Sequence, residues 1–181
     1  MDAHDPHPSY TGLQMSLCIR DEEPVDFAAI RALAAAAFKG NEHSNGTEGA
    51  IIDALRKDAA LTLSLVASID GDIVGHVAFS PVVIDGRDMG WFGLGPVAVR
   101  PDRQRRGIGT ALIRAGLARL SDAGAGGCVV LGDPIYYRRF GFENDPTLRF
   151  DGAPADYFMR LTLNHTTPSG RIAYHRAFDA S

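Results

Sequence analysis

Between Gly95 and Leu112 an apolar run gives way to a basic loop, and two glycines then open a helical pattern: Gly-Pro-Val-Ala-Val-Arg-Pro-Asp-Arg-Gln-Arg-Arg-Gly-Ile-Gly-Thr-Ala-Leu. Each residue type has a use if a pyrophosphate docks here. Glycine lacks Cβ, so the backbone at Gly107 and Gly109 can approach a ligand closely. The first turn of a helix carries N–H groups without intrahelical partners, and the helix dipole favours negative charge beside them. Arg103, Arg105 and Arg106, with Arg100 nearby, add charge for further phosphates. Two glycines alone suit a plain helix start beside a solvated basic run equally well. Other nucleotide fingerprints fit badly: a P-loop needs Gly-Lys-Ser/Thr after its spacer, and a dinucleotide fingerprint needs a third glycine where Leu112 stands.

Such a loop works only if flanking elements hold it. Leu13 to Arg20 reads as a first strand. Asp21-Glu22-Glu23-Pro24 suits a helix start, and Phe27, Ile30, Leu33, Ala34, Ala37 and Phe38 recur at helical spacing until Gly40. A polar loop at 41–46 precedes a second helix around Glu48 to Lys57. The period then changes: Leu63 to Ile69, Ile73 to Ile84 and Trp91 to Val99 read as strands, joined through Asp70-Gly71-Asp72 and Asp85-Gly86-Arg87-Asp88 into an antiparallel meander. A helix from about Gly107 to Ala123, a glycine-rich turn and the strand Cys128 to Leu131 make a parallel crossover with the strand before them. Ile135 to Phe140 reads as a short helix and Tyr157 to Leu163 as a late strand. The Gly95-Pro96 pair suits a strand that splays from its neighbour and opens a cleft.

The chain has 181 residues, 45% hydrophobic and 22% charged, enough for one continuous core. We expect a single domain over residues 13–181 with a disordered tail at 1–12. The longest uncharged stretch in the apolar middle, Ala59 to Ile69, is too short to span a bilayer. The polar, acidic N-terminus is unlike a secretory signal, and the expected compartment is the cytoplasm. A net charge of −4 argues against general affinity for nucleic acid. Cys18 and Cys128, each in a short apolar run, read as core residues; two such cysteines argue against a disulfide framework or a zinc site. The apolar tail 171–178 can pack on the domain or on a partner, leaving monomer and homodimer both open.

The string Val99, Pro101, Gln104, Gly107 and Gly109 resembles motif A of the GNAT superfamily of acyl-CoA-dependent N-acetyltransferases, Val-x-Pro-x-x-Gln-x-x-Gly-x-Gly. The order of elements from residue 13 to about 163 resembles that fold too. The resemblance implies a mixed α/β architecture: a central, mostly antiparallel sheet, helices on both faces, and a splayed strand pair forming an acetyl-CoA cleft. It implies that Gln104 and the backbone of Arg105, Arg106, Gly107, Ile108, Gly109 and Thr110 hold the pyrophosphate. Val97, Ala98 and Val99 would pair with the pantetheine arm, with Val99 also orienting the acyl carbonyl. The co-substrate is acetyl-CoA, with no metal, and the reaction is direct transfer to a primary amine of a small molecule or peptide in a ternary complex. Two alternatives are a non-catalytic acyl-CoA sensor and a transferase using another donor such as succinyl-CoA.

Amine attack on a thioester needs a neutral nucleophile, help for the oxyanion and a proton for the leaving thiolate. Tyr137, four residues before Gly141-Phe142, matches the tyrosine that resembles the family's general acid. Adjacent helical residues diverge by about 100°, so Tyr136 faces elsewhere. The base is open, because the family often uses a glutamate on the strand before motif A or a water relay, and Trp91 to Val99 contains no acid. Glu42 and His43 are the acceptor-side candidates, with Asp133 another. His76 reads as a packed core histidine. Arg138 and Arg139 suit phosphate contact or plain solvent exposure.

Overall fold

The computed structural model describes residues 16–40, 44, 46–164 and 166–179; the expected tail at 1–12, and Glu42 and His43, lie outside them. The strands are β1 (Leu17–Asp21), β2 (Leu63–Ile69), β3 (Asp72–Ile84), β4 (Arg87–Val99), β5 (Gly127–Leu131), β6 (Leu148–Arg149), β7 (Phe158–Thr162) and β8 (Gly170–Ala173). The helices are α1 (Phe27–Phe38), α2 (Glu48–Lys57), α3 (Ile108–Asp122) and the single turn α4 (Pro134–Tyr137). The sheet runs β1-β2-β3-β4-β5-β7, and β8 adds to the far end of β3 while pairing β6. Among the described strands, only β4 with β5 and β6 with β8 are parallel. None of the described helices is long and apolar enough to cross a membrane.

Alternation along the long strands builds a core on each face. Leu65, Val77, Phe79 and Leu94 pack against Ile108, Leu112, Ile113 and Leu117 of α3. On the opposite face Val66 packs with Ile30 and Ala34 of α1 and Ile52 of α2. The meander and the right-order crossover from β4 through α3 to β5 follow the hydrophobic periods in the sequence.

Two expectations are corrected. Cys18 is exposed: among the described residues β1 is an edge strand, bonded to β2 alone, and its first two residues, Leu17 and Cys18, are both exposed. Cys128 is fully buried, as expected. The late part of the chain also contains two strands that the periodicity did not reveal, β6 and β8. The 171–178 tail packs on the domain: Ile172 pairs Ile84, and Ala177 and Phe178 lie against Ile51 and Leu55 of α2.

Candidate active site

Strands β4 and β5 pair only from Trp91–Leu94 against Gly127–Val130. At Gly95 the backbone adopts φ +137, the Gly95–Pro96 bond is cis, and β4 leaves its neighbour. On its other side β4 stays bonded to β3, with Val97 opposite Val77, Ala98 opposite His76 and Val99 opposite Gly75. The edge of residues 97–99 that would face β5 therefore has no strand partner among the described residues. It opens onto a cleft of about 600 Å³ lined by Val97, Val99, Gln104, Arg105, Gly107, Ile108, Gly109, Thr110, Tyr136, Tyr137 and Arg139.

The basic loop turns twice through left-handed backbone, at Arg105 (φ +61) and Gly107 (φ +81), before α3 begins. Ala111 N donates to Gly107 O as the helix opens, so the N–H groups of residues 108–110, which line the cleft, precede the first intrahelical bond and have no intrahelical acceptor. Gln104 Nε2 donates to Val99 O at 3.1 Å, tying the loop back to the strand that supplies the other wall. Two of the expected residues hold their side chains off the cleft wall. Arg106 is exposed and outside the cleft wall. Ala98 alternates away from Val97 and Val99 and its side chain is buried. Arg100 is held by Asp102 at 2.7 Å, and Arg103 stands 3.6 Å from the same carboxylate, so Asp102 offsets part of the loop's charge. Arg105 and Arg139 are the arginines of the wall, while Arg138 turns to Asn144.

The two tyrosines of α4 diverge. Asp133 caps the helix, its carboxylate accepting from Ile135 N at 2.9 Å, which sets the orientation of the turn. The rings of Tyr136 and Tyr137 are 5.0 Å apart and nearly perpendicular. The Tyr136 hydroxyl lies beside Gly109, 3.2 Å from where a Cβ there would stand, and the Arg139 guanidinium covers its ring at 4.4 Å. Tyr137 leans instead on Gly132, just past the end of β5, and packs on Phe142. Burial, with smaller contributions from Tyr136 and Cys128, pushes the Tyr137 phenol well above its ordinary value. It therefore keeps its proton at neutral pH.

On the opposite face of the sheet, Tyr174 lies directly over Gly93 of β4: a Cβ on Gly93 would stand 2.7 Å from its ring. The strand thus lacks a side chain at Gly93 because an aromatic ring from the C-terminal segment fills the space. Burial raises the Tyr174 phenol as well, and its hydroxyl has no hydrogen-bond partner among the described residues. Sequence reasoning missed this residue; the glycine inside a strand was its signal, since such a glycine marks a close approach. His76 is fully buried, with Nε2 2.8 Å from Ser64 Oγ and 3.8 Å from Glu22. It is a packed histidine, as expected. Burial alone would raise the Glu22 carboxyl, but His76, the bidentate Arg56 and Ser64 outweigh it and hold the group at about 2.

Comparison with known proteins bears on what this cleft does. The family model described as "Acetyltransferase (GNAT) domain" matches residues 19–144. The N-acetyltransferase YhbS of Escherichia coli is 37% identical over 172 residues, covering 90% of this chain and 99% of YhbS. The crystal structure of a GNAT family acetyltransferase from Brucella melitensis in complex with acetyl-CoA is similar with a TM-score of 0.82 at 53% identity, covering 91% of this chain and 99% of that one. The structure of YhbS in complex with CoA gives a TM-score of 0.85 at 34% identity, covering 98% and 96%.

Proposed function

The chain belongs to the GNAT acetyltransferases, and from that premise we propose that it binds acetyl-CoA in the β4–β5 cleft and transfers the acetyl group directly to a primary amine. The observation that carries this reading is the alignment of three features along one cleft. A helix start with free N–H groups lies at one end, the unpaired edge 97–99 forms the middle, and the protonated Tyr137 stands near the end of β5. The two similar proteins of known structure were solved with acetyl-CoA and CoA, which supports the same co-substrate here. We read residues 13–181 as one acyltransferase domain.

In this reading the pyrophosphate lies over Arg105 to Thr110, where N–H donors and the helix dipole meet its charge. Arg105 and Arg139 flank it. The amide-like pantetheine arm runs along Val97 to Val99 and completes the hydrogen bonding that β5 leaves unmade. The amine nitrogen then attacks the thioester carbonyl carbon, and the tetrahedral intermediate collapses as its C–S bond breaks. Tyr137 gives its phenolic proton to the departing sulfur and is reprotonated from solvent; the amine's surplus proton leaves to water. Tyr136 stands over the cradle and has no part in the proton transfer. Calorimetry with acetyl-CoA, followed by mass spectrometry of an amine incubated with both, tests the proposal: saturable binding and an N-acetyl product are expected. Failure of acetyl-CoA to bind the folded chain would remove it.

A further inference from the structure

Beyond the end of β5 a second opening of about 950 Å³ is lined by residues 131–135 and by the segment leading into β7, and it shares no residue with the wall of the first cleft. Its composition is unusual for an exposed surface. Six large apolar side chains are exposed among the described residues, and three of them, Leu131 (45%), Ile135 (83%) and Tyr157 (48%), converge here. Apolar groups gathered in one groove rather than scattered mark a binding surface. Two carboxylates stand among them. Asp133 uses one oxygen to cap α4, and Asp156 has no side-chain partner among the described residues.

We propose that this groove holds the acceptor, and that the acceptor is a primary amine with a compact aromatic or aliphatic body and no carboxylate of its own. The inference rests on the acetyl-transfer reading above. Position links the groove to the reaction: Gly132 lines it and is also the residue on which the Tyr137 ring rests. An acceptor seated there lies beside the proposed acid, while the co-substrate occupies the other opening. Direct transfer then requires the acceptor nitrogen to reach the thioester past Gly132 and the Tyr137 ring, the contact that links the two openings. Charge complementarity selects the occupant, because Asp133 and Asp156 attract an ammonium and repel an anionic substituent, while Leu131, Ile135 and Tyr157 reward apolar area removed from water.

The test compares 2-phenylethylamine, ethanolamine and phenylalanine as acceptors, reading CoA thiol release with saturating acetyl-CoA. The expected order of kcat/KM places 2-phenylethylamine about tenfold or more above each of the others. Tyr157→Ala and Ile135→Ser should shrink its advantage over ethanolamine, mainly through KM. Asp156→Asn should shrink its advantage over phenylalanine. Both apolar positions are exposed, so the fold persists, and calorimetry with acetyl-CoA checks that the first cleft is intact in each variant. Equal use of the three amines, a preference for a polar one, or variants that keep the wild-type preference would overturn the inference. So would acetyl-CoA binding without reaction of any of the three amines. A dimer that dissociates in Ile135→Ser with amine preference unchanged would assign the groove to a second copy of the chain instead. Wild-type chain that does not bind acetyl-CoA would overturn the transfer reading itself, which separates the two failures.

Discussion

Replacing Gly107 by valine isolates the phosphate cradle from the rest of the fold. Gly107 has φ +81, and a Cβ built on it would meet nothing within 4 Å. Within the fold the added Cβ therefore meets no neighbour and the cost is backbone strain, while over the cradle the valine side chain also stands where the ligand is to approach. Left-handed backbone costs an L-residue about 1–2 kcal/mol, with β-branched side chains at the upper end or beyond. The chain can relieve this by rotating the start of α3, which swings the N–H groups of residues 108–110 away from the ligand. A hydrogen bond to a charged group contributes about 1.5–3 kcal/mol, so losing even one weakens acetyl-CoA binding roughly tenfold or more, since about 1.4 kcal/mol is a factor of ten. Gly71→Val is the matched control: Gly71 has φ +88, also with nothing near its Cβ, but sits in the β2–β3 hairpin. Both variants should lose similar stability in a thermal melt, and calorimetry should find weakened binding in Gly107→Val alone. Unchanged affinity in a folded Gly107→Val variant, or equal losses in both, would refute the cradle.

Tyr137→Phe removes one proton and keeps the ring, so kcat near pH 7 should fall by about 10² to 10⁴ with little change in acetyl-CoA affinity, and the defect should shrink as pH rises past the thiol value near 8.5; Tyr136→Phe should lower kcat far less, and the reverse pattern in a stopped-time thiol assay would move the acid by one residue. Replacing Glu42 and His43 together by alanine should raise the acceptor KM or lower the rate while leaving the acetyl-CoA Kd unchanged, and identical kinetics for every amine would remove that loop from the site. Glu22→Gln tests the buried cluster with Arg56 and Ser64. The Glu22 carboxyl is depressed from 4.5 to about 2, so its stabilisation is fully present above about pH 4.5 and fades as pH falls through 2. Denaturant melts should show the variant about 2 kcal/mol less stable at pH 7, with the gap closing below pH 4; a gap that persists at pH 2 would contradict the assignment.

Much of this architecture was legible because each element carried its own signal. The bounds of α2 at Glu48 and Lys57, the meander joined at Gly71 and Gly86, and the break at Gly95 follow from local period and turn chemistry. The loop that forms one end of the first cleft was legible for the same reason: its glycines and arginines are contiguous in the chain. What escaped depends on residues far apart in sequence. Cys18 reads as apolar core, but it is exposed on β1, which has no outer neighbour among the described residues. The two-residue pairing of β8 with Val83 and Ile84 is too short to leave a period. Tyr174 reaches Gly93 across 81 positions of chain, and the groove beside Gly132 gathers segments 131–135 and 153–157 that share no motif. The side chains of Arg106 and Ala98 point off the cleft wall, which a sequence does not reveal because it gives position in the chain but not which way a loop or strand residue points.

Direct transfer requires acetyl-CoA and an amine to be held together while the acetyl group passes between them. Initial rates of CoA thiol release, measured while both acetyl-CoA and a reactive amine are varied, test it most directly. Double-reciprocal plots that intersect, with a rate that rises from a negligible value as amine is added, are the predicted result. Parallel lines would place a covalent acyl-enzyme between the two substrates, and a rate indifferent to amine would mean that the cleft binds acetyl-CoA without transferring its acetyl group.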